Sequence, residues 1–191
     1  MAQSITSSPT NSASKPSVPS VGLAHAAALF GVGALLALIH QAWDFHLKLP
    51  GHYGLVWMAG VMMTRHWSPA RWAAVGTVFG YIGGTALLTH GAHAGLMQTP
   101  VYALCALVVD AAWLLGAARM RSLALVALLG GAAFMLKPIT VYLLANGLDL
   151  HLGTLRFGAV FPIITHFCFG AVGAVIGTLA HGASVHRGRP L

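Results

Sequence analysis

The sequence predicts an all-α, polytopic membrane protein, a compact bundle of about six transmembrane helices, and three observations carry that reading. Hydrophobic residues fill 57% of the 191 positions and charged residues only 7%, where a water-soluble domain devotes about a quarter of its residues to Asp, Glu, Lys and Arg. Apolar runs close to the roughly twenty residues that cross a bilayer recur along nearly the whole chain. Stretches such as AALFGVGALLALI show no alternation of polar and apolar residues, which argues against the period-two strands of a membrane barrel. In lipid the backbone must then satisfy its own hydrogen bonds as helices.

Residues 1–21 are rich in Ser, Thr and Pro with one charge, Lys15, and cannot bury enough apolar surface to fold; they are read as a disordered cytoplasmic tail. A signal peptide fits less well, since no basic residue precedes Lys15. The transmembrane domain is placed at 22–182, with spans at 23–39, 54–64, 70–89, 98–117, 122–146 and 158–182, followed by a basic cytoplasmic tail at 183–191. The second span is too short, because eleven residues of helix rise only about 16 Å. It must start inside the membrane surface, borrow from its flanks or be shielded by its neighbours.

Orientation follows from the short loops. With both termini cytoplasmic, Lys15, Arg65, Arg71, Arg119, Arg121, Arg187 and Arg189 lie inside, Lys48 and Arg156 outside, and Lys137 within a span. This arrangement accounts for the net charge of +7 without nucleic acid, since the basic residues sit beside helix ends rather than in one patch. It also gathers His40, Asp44, His46, His52, His90, His93, Asp149 and His151 at the outer face, and leaves His66 and His186 inside with His25 and His181 near the inner ends. A bacterial-type inner membrane is the expected location. Cys105 and Cys168 lie in apolar runs and read as small hydrophobes.

Three polar residues interrupt the apolar spans at similar depth. Lys137, in FMLKPITVY, is about 13 Å from the outer end of its span, followed by a proline that frees a backbone carbonyl. A lysine at that depth marks a functional hypothesis by default, against a structural ion pair or a side chain snorkelling to the surface. His166, in PIITHFCFG, and Tyr81 fall near the same level, and Asp110, in ALVVDAAW, lies deeper toward the inner side, a doubtful partner for Lys137. Tyr81, Lys137, His166 and Asp110 are therefore the candidate ligand-binding residues.

The segment HQAWDFHLKLPGHYG, residues 40–54, places three histidines and an aspartate in the first outer loop. His40 and Asp44 are spaced to share one helical face, while Pro50 and Gly51 end any helix before His52. With His46, His52, His90, His93 and His151, these residues form a candidate set of ligands for a transition metal or for haem. No HExxH, paired CxxC or di-iron histidine box supports the set, and aromatic and imidazole side chains also collect at membrane surfaces for amphipathic reasons. Small residues recur at helical spacing at Ala24 and Ala28, Ala27 and Gly31, Gly76, Gly80 and Gly84, and Gly173 and Gly177. Ordinary packing within one bundle is the simpler reading of these stripes; a docking face through Ala24, Ala28, Gly76 and Gly80 is the alternative.

Six helices with both ends inside, an ordered outer loop before a short second helix, and Ala/Gly stripes on the early helices together resemble the substrate-binding S components of energy-coupling factor (ECF) transporters. The resemblance covers about residues 22–182 and is architectural. It implies an uptake component that captures a vitamin-like molecule, a metal ion or haem from the outer face, with residues 40–53 as a lid above Tyr81, Lys137 and His166. The small-residue faces would then dock onto a coupling subunit driven by ATPases, because the chain has no phosphate-binding GxxxxGKS loop of its own. In that reading Lys137 pairs with an anionic group of the ligand. Two other classes stay open: a metal- or haem-binding subunit of a membrane redox enzyme, and an accessory subunit of a larger membrane complex.

Overall fold

The computed structural model describes residues 22–42, 49–88, 99–116, 122–147 and 158–187. Six helices make up this part of the chain, and no strand occurs among the described residues: α1 (Leu23–Ala42), α2 (Tyr53–Trp67), α3 (Ala73–Leu88), α4 (Thr99–Gly116), α5 (Leu123–Gly147) and α6 (Val160–Arg187). Each coincides with an expected apolar segment. The largest difference is at the C-terminus, where α6 continues to Arg187, into what was read as a tail; α1 and α2 each run three residues past the expected end, and α3 begins three residues late.

Three helices, at Leu23–Ala42, Leu123–Leu144 and Val160–Ser184, are long and apolar enough to cross a membrane, and α3 and α4 contain shorter apolar helices. The outward surface supports the same solvent. Leu23, Phe79, Leu87, Leu115, Leu143 and Val160 are among many large apolar side chains that face away from the protein. An apolar exterior of this extent suits lipid rather than water.

Close backbone contact holds the bundle together, as expected where lipid replaces the hydrophobic drive between helices. α1 packs along α3, α2 along α6, and α5 along α6, while α4 bridges α3 and α5. Gly33 of α1 lies against the backbone of Thr77 and Tyr81, and Gly80 and Gly84 of α3 lie against Phe30 and Ala34. Gly130 and Gly170 meet across α5 and α6, and Gly173 and Gly177 receive the backbone of Leu55 and Ala59. Most of the small-residue stripe is therefore taken up by contacts within the chain. Gly80, expected on a docking face, is buried against α1, and Gly76 is half-buried with Leu29 over it. Of the proposed docking residues Ala24 is exposed and Ala28 half-buried.

α2 occupies the middle of the bundle. Trp57, Met58, Val61, Met62, Thr64 and Arg65 are all buried, packed with Tyr102, Val109, Val126 and Phe134 in one core. Its 15 residues rise about 22 Å. The shortness of this helix is met by a longer helix than expected and by the neighbours that wrap it.

The extension past residue 64 runs through Arg65, expected as a charge on the cytoplasmic side and found instead 4% exposed. Its Nη1 donates to Asp110 Oδ1 at 3.0 Å and to the Arg71 carbonyl at 3.0 Å, and Nη2 donates to the Ser68 carbonyl at 3.1 Å. Asp110, also fully buried, accepts the backbone N–H groups of Ala74 at 3.2 Å and Val75 at 3.0 Å. These are first-turn donors of α3, which have no partner inside their own helix. One ion pair thus joins α2, α3 and α4, ties down the 68–72 turn and caps α3. The partner of Asp110 is Arg65, and the pairing with Lys137 that the sequence left doubtful does not form.

Two stability predictions follow from these contacts. Gly80→Ala places a Cβ into the Phe30 backbone and should lower stability by about 1–3 kcal/mol, whereas Gly31→Ala, which meets nothing within 4 Å, should be neutral or stabilising because alanine favours helix. Thermal melting in detergent reads the two opposite signs. Asp110→Asn strands a buried guanidinium and should cost about 3–5 kcal/mol, more than the joint replacement of Arg65 by Met and Asp110 by Leu; a double-mutant cycle followed by melting measures the coupling.

Candidate functional site

The helices run up and down, so the C-terminal ends of α1, α3 and α5 meet the N-terminal ends of α2, α4 and α6. Polar side chains converge there. The Tyr81 hydroxyl hydrogen-bonds His40 Nδ1, and the His40 ring stacks on Tyr53 with centroids 4.0 Å apart. Tyr81 lies 5.2 Å from Tyr102, ring to ring. Lys137 Nζ donates to the Tyr102 hydroxyl at 2.8 Å and sits 4.6 Å from the centre of its ring. An aromatic face and a phenol oxygen together offset part of the cost of holding an ammonium out of water.

His166 stands close by, within electrostatic range of Lys137 and His52. Its Nδ1–H donates to the Pro162 carbonyl at 2.7 Å, and its ring stacks on Phe134 with centroids 5.2 Å apart. His52 makes the matching bond, Nδ1–H to the Leu49 carbonyl at 2.7 Å. Since a carbonyl only accepts, Nδ1 carries the proton in both rings.

The turn into α2 is shaped to lie on these residues. Gly51 adopts φ +87, and a Cβ there would meet His166 Nδ1 at 2.7 Å. Both the left-handed backbone and the contact require glycine. Gly54 lies against the Phe134 ring in the same way.

Beside the cluster is a cavity of about 150 Å³, walled by Leu36, Ile39 and His40 of α1, His52 before α2, Tyr53, Leu55, Val56 and Trp57 of α2, Tyr81 of α3 and Phe169 of α6. Aromatic and aliphatic carbon dominates the wall. The Trp57 indole N–H, on a side chain only 4% exposed, has no hydrogen-bond partner. A buried donor left unmatched costs about 1–3 kcal/mol.

Of the residues singled out in the sequence, Tyr81 and His40 lie on the cavity wall, and Lys137 stands off it, bonded to Tyr102. His166 packs under Gly51, outside the wall. Asp110 belongs to the opposite end, held by Arg65. Of the seven candidate metal ligands, His40 and His52 are described; Asp44, His46, His90, His93 and His151 lie outside the described residues. Among the described residues no three His, Cys, Asp or Glu side chains are grouped to hold a metal ion.

Sequence reasoning missed Tyr53, Trp57, Tyr102 and Phe169. Tyr53 and Trp57 stand one helical turn apart and so share a face, which is a readable signal. Tyr102 could have been found by the logic applied to Tyr81, because a phenol inside an apolar span needs a partner. Phe169 leaves no signal among so many apolar residues.

The opposite end is polar in a different way. His25 Nε2 lies 2.6 Å from the Ser68 hydroxyl and its ring stacks on Trp67. Thr178 donates its hydroxyl to the Ala174 carbonyl, so its oxygen accepts from His66 Nε2 at 3.1 Å. These contacts staple helix ends. Comparison with protein-family models, curated proteins and solved structures finds no match for the chain.

Gly51→Ala should loosen the turn from His166 at a cost of about 1–2 kcal/mol for the left-handed backbone alone. Melting temperature reads this loss, and a blue- or red-shifted Trp57 emission, isolated by replacing the other four tryptophans, reads the change at the cavity.

Proposed function

We propose that this chain is an integral membrane substrate-binding component of an uptake system, which captures a small ligand in the cavity between α1, α2, α3 and α6. The observation that carries the reading is the cavity itself: a mostly apolar recess of about 150 Å³ with few polar side chains on its wall, among them His40 and Tyr81. This is the general form of a preformed small-molecule site. A void of this size matches an engineered apolar cavity that admits benzene, so the enclosed part of the ligand is about one ring in size.

In this reading all six helices cross a bacterial-type inner membrane with both termini cytoplasmic, and the cavity opens toward the outer face. Residues 40–53 act as the lid, Gly51 anchoring its end on His166. The absence of a phosphate-binding loop in the sequence assigns the energy source to partner subunits, as the architectural resemblance to ECF S components implies. Ala24 and the exposed apolar surface of α1 are what remains for docking, since the α3 glycines are occupied by α1.

Purification in mild detergent followed by mass spectrometry of the native protein should recover a small organic molecule in stoichiometric amount. Val56→Phe, which fills the recess, should reduce its recovery by about tenfold or more while the protein remains folded, as expected for about 1.4 kcal/mol of lost binding. Equal recovery from both proteins would place the ligand elsewhere. Iron or copper in place of an organic molecule would support the redox-subunit alternative.

A further inference from the structure

We propose that the molecule this cavity takes is a neutral, lipophilic ring bearing one hydroxyl or carbonyl group, and that it enters sideways from the outer leaflet through a gap between α1 and α6. The proposal rests on the reading of the cavity as a capture site and specifies the occupant and its route.

Around the central α2, α1 packs on α3, α3 on α4, α4 on α5 and α5 on α6, while among the described residues no comparable contact joins α6 back to α1. The ring of outer helices is therefore open on one side, where only α2 stands between its two ends. The cavity is at that opening, because Leu36, Ile39 and His40 of α1 and Phe169 of α6 line it together with α2. Ile39, Leu55, Val56 and Phe169 are each half-buried, so the wall is not sealed.

The helix faces that wall the cavity continue beyond it. Leu35 stands one helical turn from Ile39, Val172 one turn from Phe169 and Met63 two turns from Val56, so each shares a face with a lining residue. All three are exposed. The opening thus runs out into apolar surface of the kind that meets lipid, and a molecule already dissolved in the bilayer reaches it without crossing a polar layer. In the capture reading residues 40–53 cover the aqueous side, which leaves the gap as the route.

The wall sets the chemistry of the occupant. Among the described residues no Asp, Glu, Lys or Arg lines the cavity; Lys137 is bonded to Tyr102, and Asp110 to Arg65. An ion entering such a space loses its water and meets no fixed opposite charge, whereas a neutral ring loses little. His40 and Tyr81, bonded to each other, bring an imidazole and a phenol to the wall. Such groups donate or accept according to what they meet, and they suit one hydroxyl or carbonyl. The carbon of Leu36, Val56, Trp57 and Phe169 suits the ring itself. About 150 Å³ encloses one ring, so an alkyl tail on it stays in the lipid.

The test uses the full-length protein in nanodiscs, with Trp57, which lines the cavity, as the sole tryptophan. Phosphatidylcholine brominated in the upper acyl chain should quench its emission, and 4-octylphenol should reverse the quenching saturably by displacing the brominated chain. At about pH 8 a phenol keeps its proton and a benzoate has lost its own. There 4-octylphenol should act at a bilayer mole fraction about tenfold or more below that of 4-octylbenzoate. Val56→Phe, which fills the recess, should remove both the quenching and its reversal; if that variant does not fold, the two probes on the unfilled cavity carry the test. Native mass spectrometry of the wild-type protein counts bound probe if the single-tryptophan form does not fold. Unquenched Trp57 overturns the lateral route, and octylbenzoate acting as well as octylphenol overturns the neutral class. In both cases an organic ligand recovered from the native protein leaves the capture reading standing. Quenching that neither probe reverses overturns the occupant and, with no ligand recovered from the native protein, the capture reading as well.

Discussion

The Arg65–Asp110 pair is the constraint on which the rest of the bundle depends. It is the point where α2, α3 and α4 are held in register, and without it the central helix would end a turn earlier at an unpaired charge. The Coulombic attraction of a buried pair scarcely exceeds the cost of drying both ions. What makes the arrangement favourable here is that the same two side chains also satisfy backbone groups, the carbonyls of Ser68 and Arg71 and the first-turn amides of Ala74 and Val75. Those amides carry the positive end of the α3 dipole, so the carboxylate is neutralised from two sides.

Placing that pair at one end has a consequence at the other. Asp110 is the sole described acidic residue, and its commitment to Arg65 leaves the Lys137 end without a described carboxylate. The two ends solve the problem of burying polarity in opposite ways. Around Arg65 the polar groups are satisfied within the protein, apart from the guanidinium Nε. Around Lys137 the ammonium is held by the hydroxyl and ring of Tyr102, while Tyr81 and His40, bonded to each other, line a cavity.

Much of the fold was legible because the helices announce themselves as apolar runs, and lipid makes the helix the only economical form for them. The end of α2 was not, since a single sequence shows Arg65 as a charge that stops a span and gives no hint that Asp110, 45 positions away, neutralises it. The small-residue stripes were visible, but their partners were not. Gly80 meets Phe30 rather than another subunit because α1 returns alongside α3, a fact of tertiary topology. At the candidate site, the polar residues in apolar surroundings, Tyr81, Lys137 and His166, were conspicuous for that reason alone. Trp57 and Phe169 were not, because aromatic carbon is as common on the lipid face as in a recess. The charged and imidazole-rich loops that stood out most in the sequence fall outside the described residues, and the residues of the candidate site lie on helices and on the turn before α2.

Those helices also determine how finely the site can discriminate. Tyr81 and His40 sit on α3 and α1, whose backbones touch through Gly33, Gly80 and Gly84, so their separation is fixed by contact between main chains rather than by side chains that can swing. Trp57 rides on α2, which is locked against α6 by Gly173 and Gly177 and tied to α4 by Arg65. The walls of the cavity are thus tied to the most closely packed seams in the bundle, and a rigid wall rejects molecules that are too large more effectively than a compliant one. The turn at Leu49–His52 is held differently, by the His52 bond to the Leu49 carbonyl, by the Gly51 carbonyl accepting from the Gly54 N–H and by the fit of Gly51 on His166.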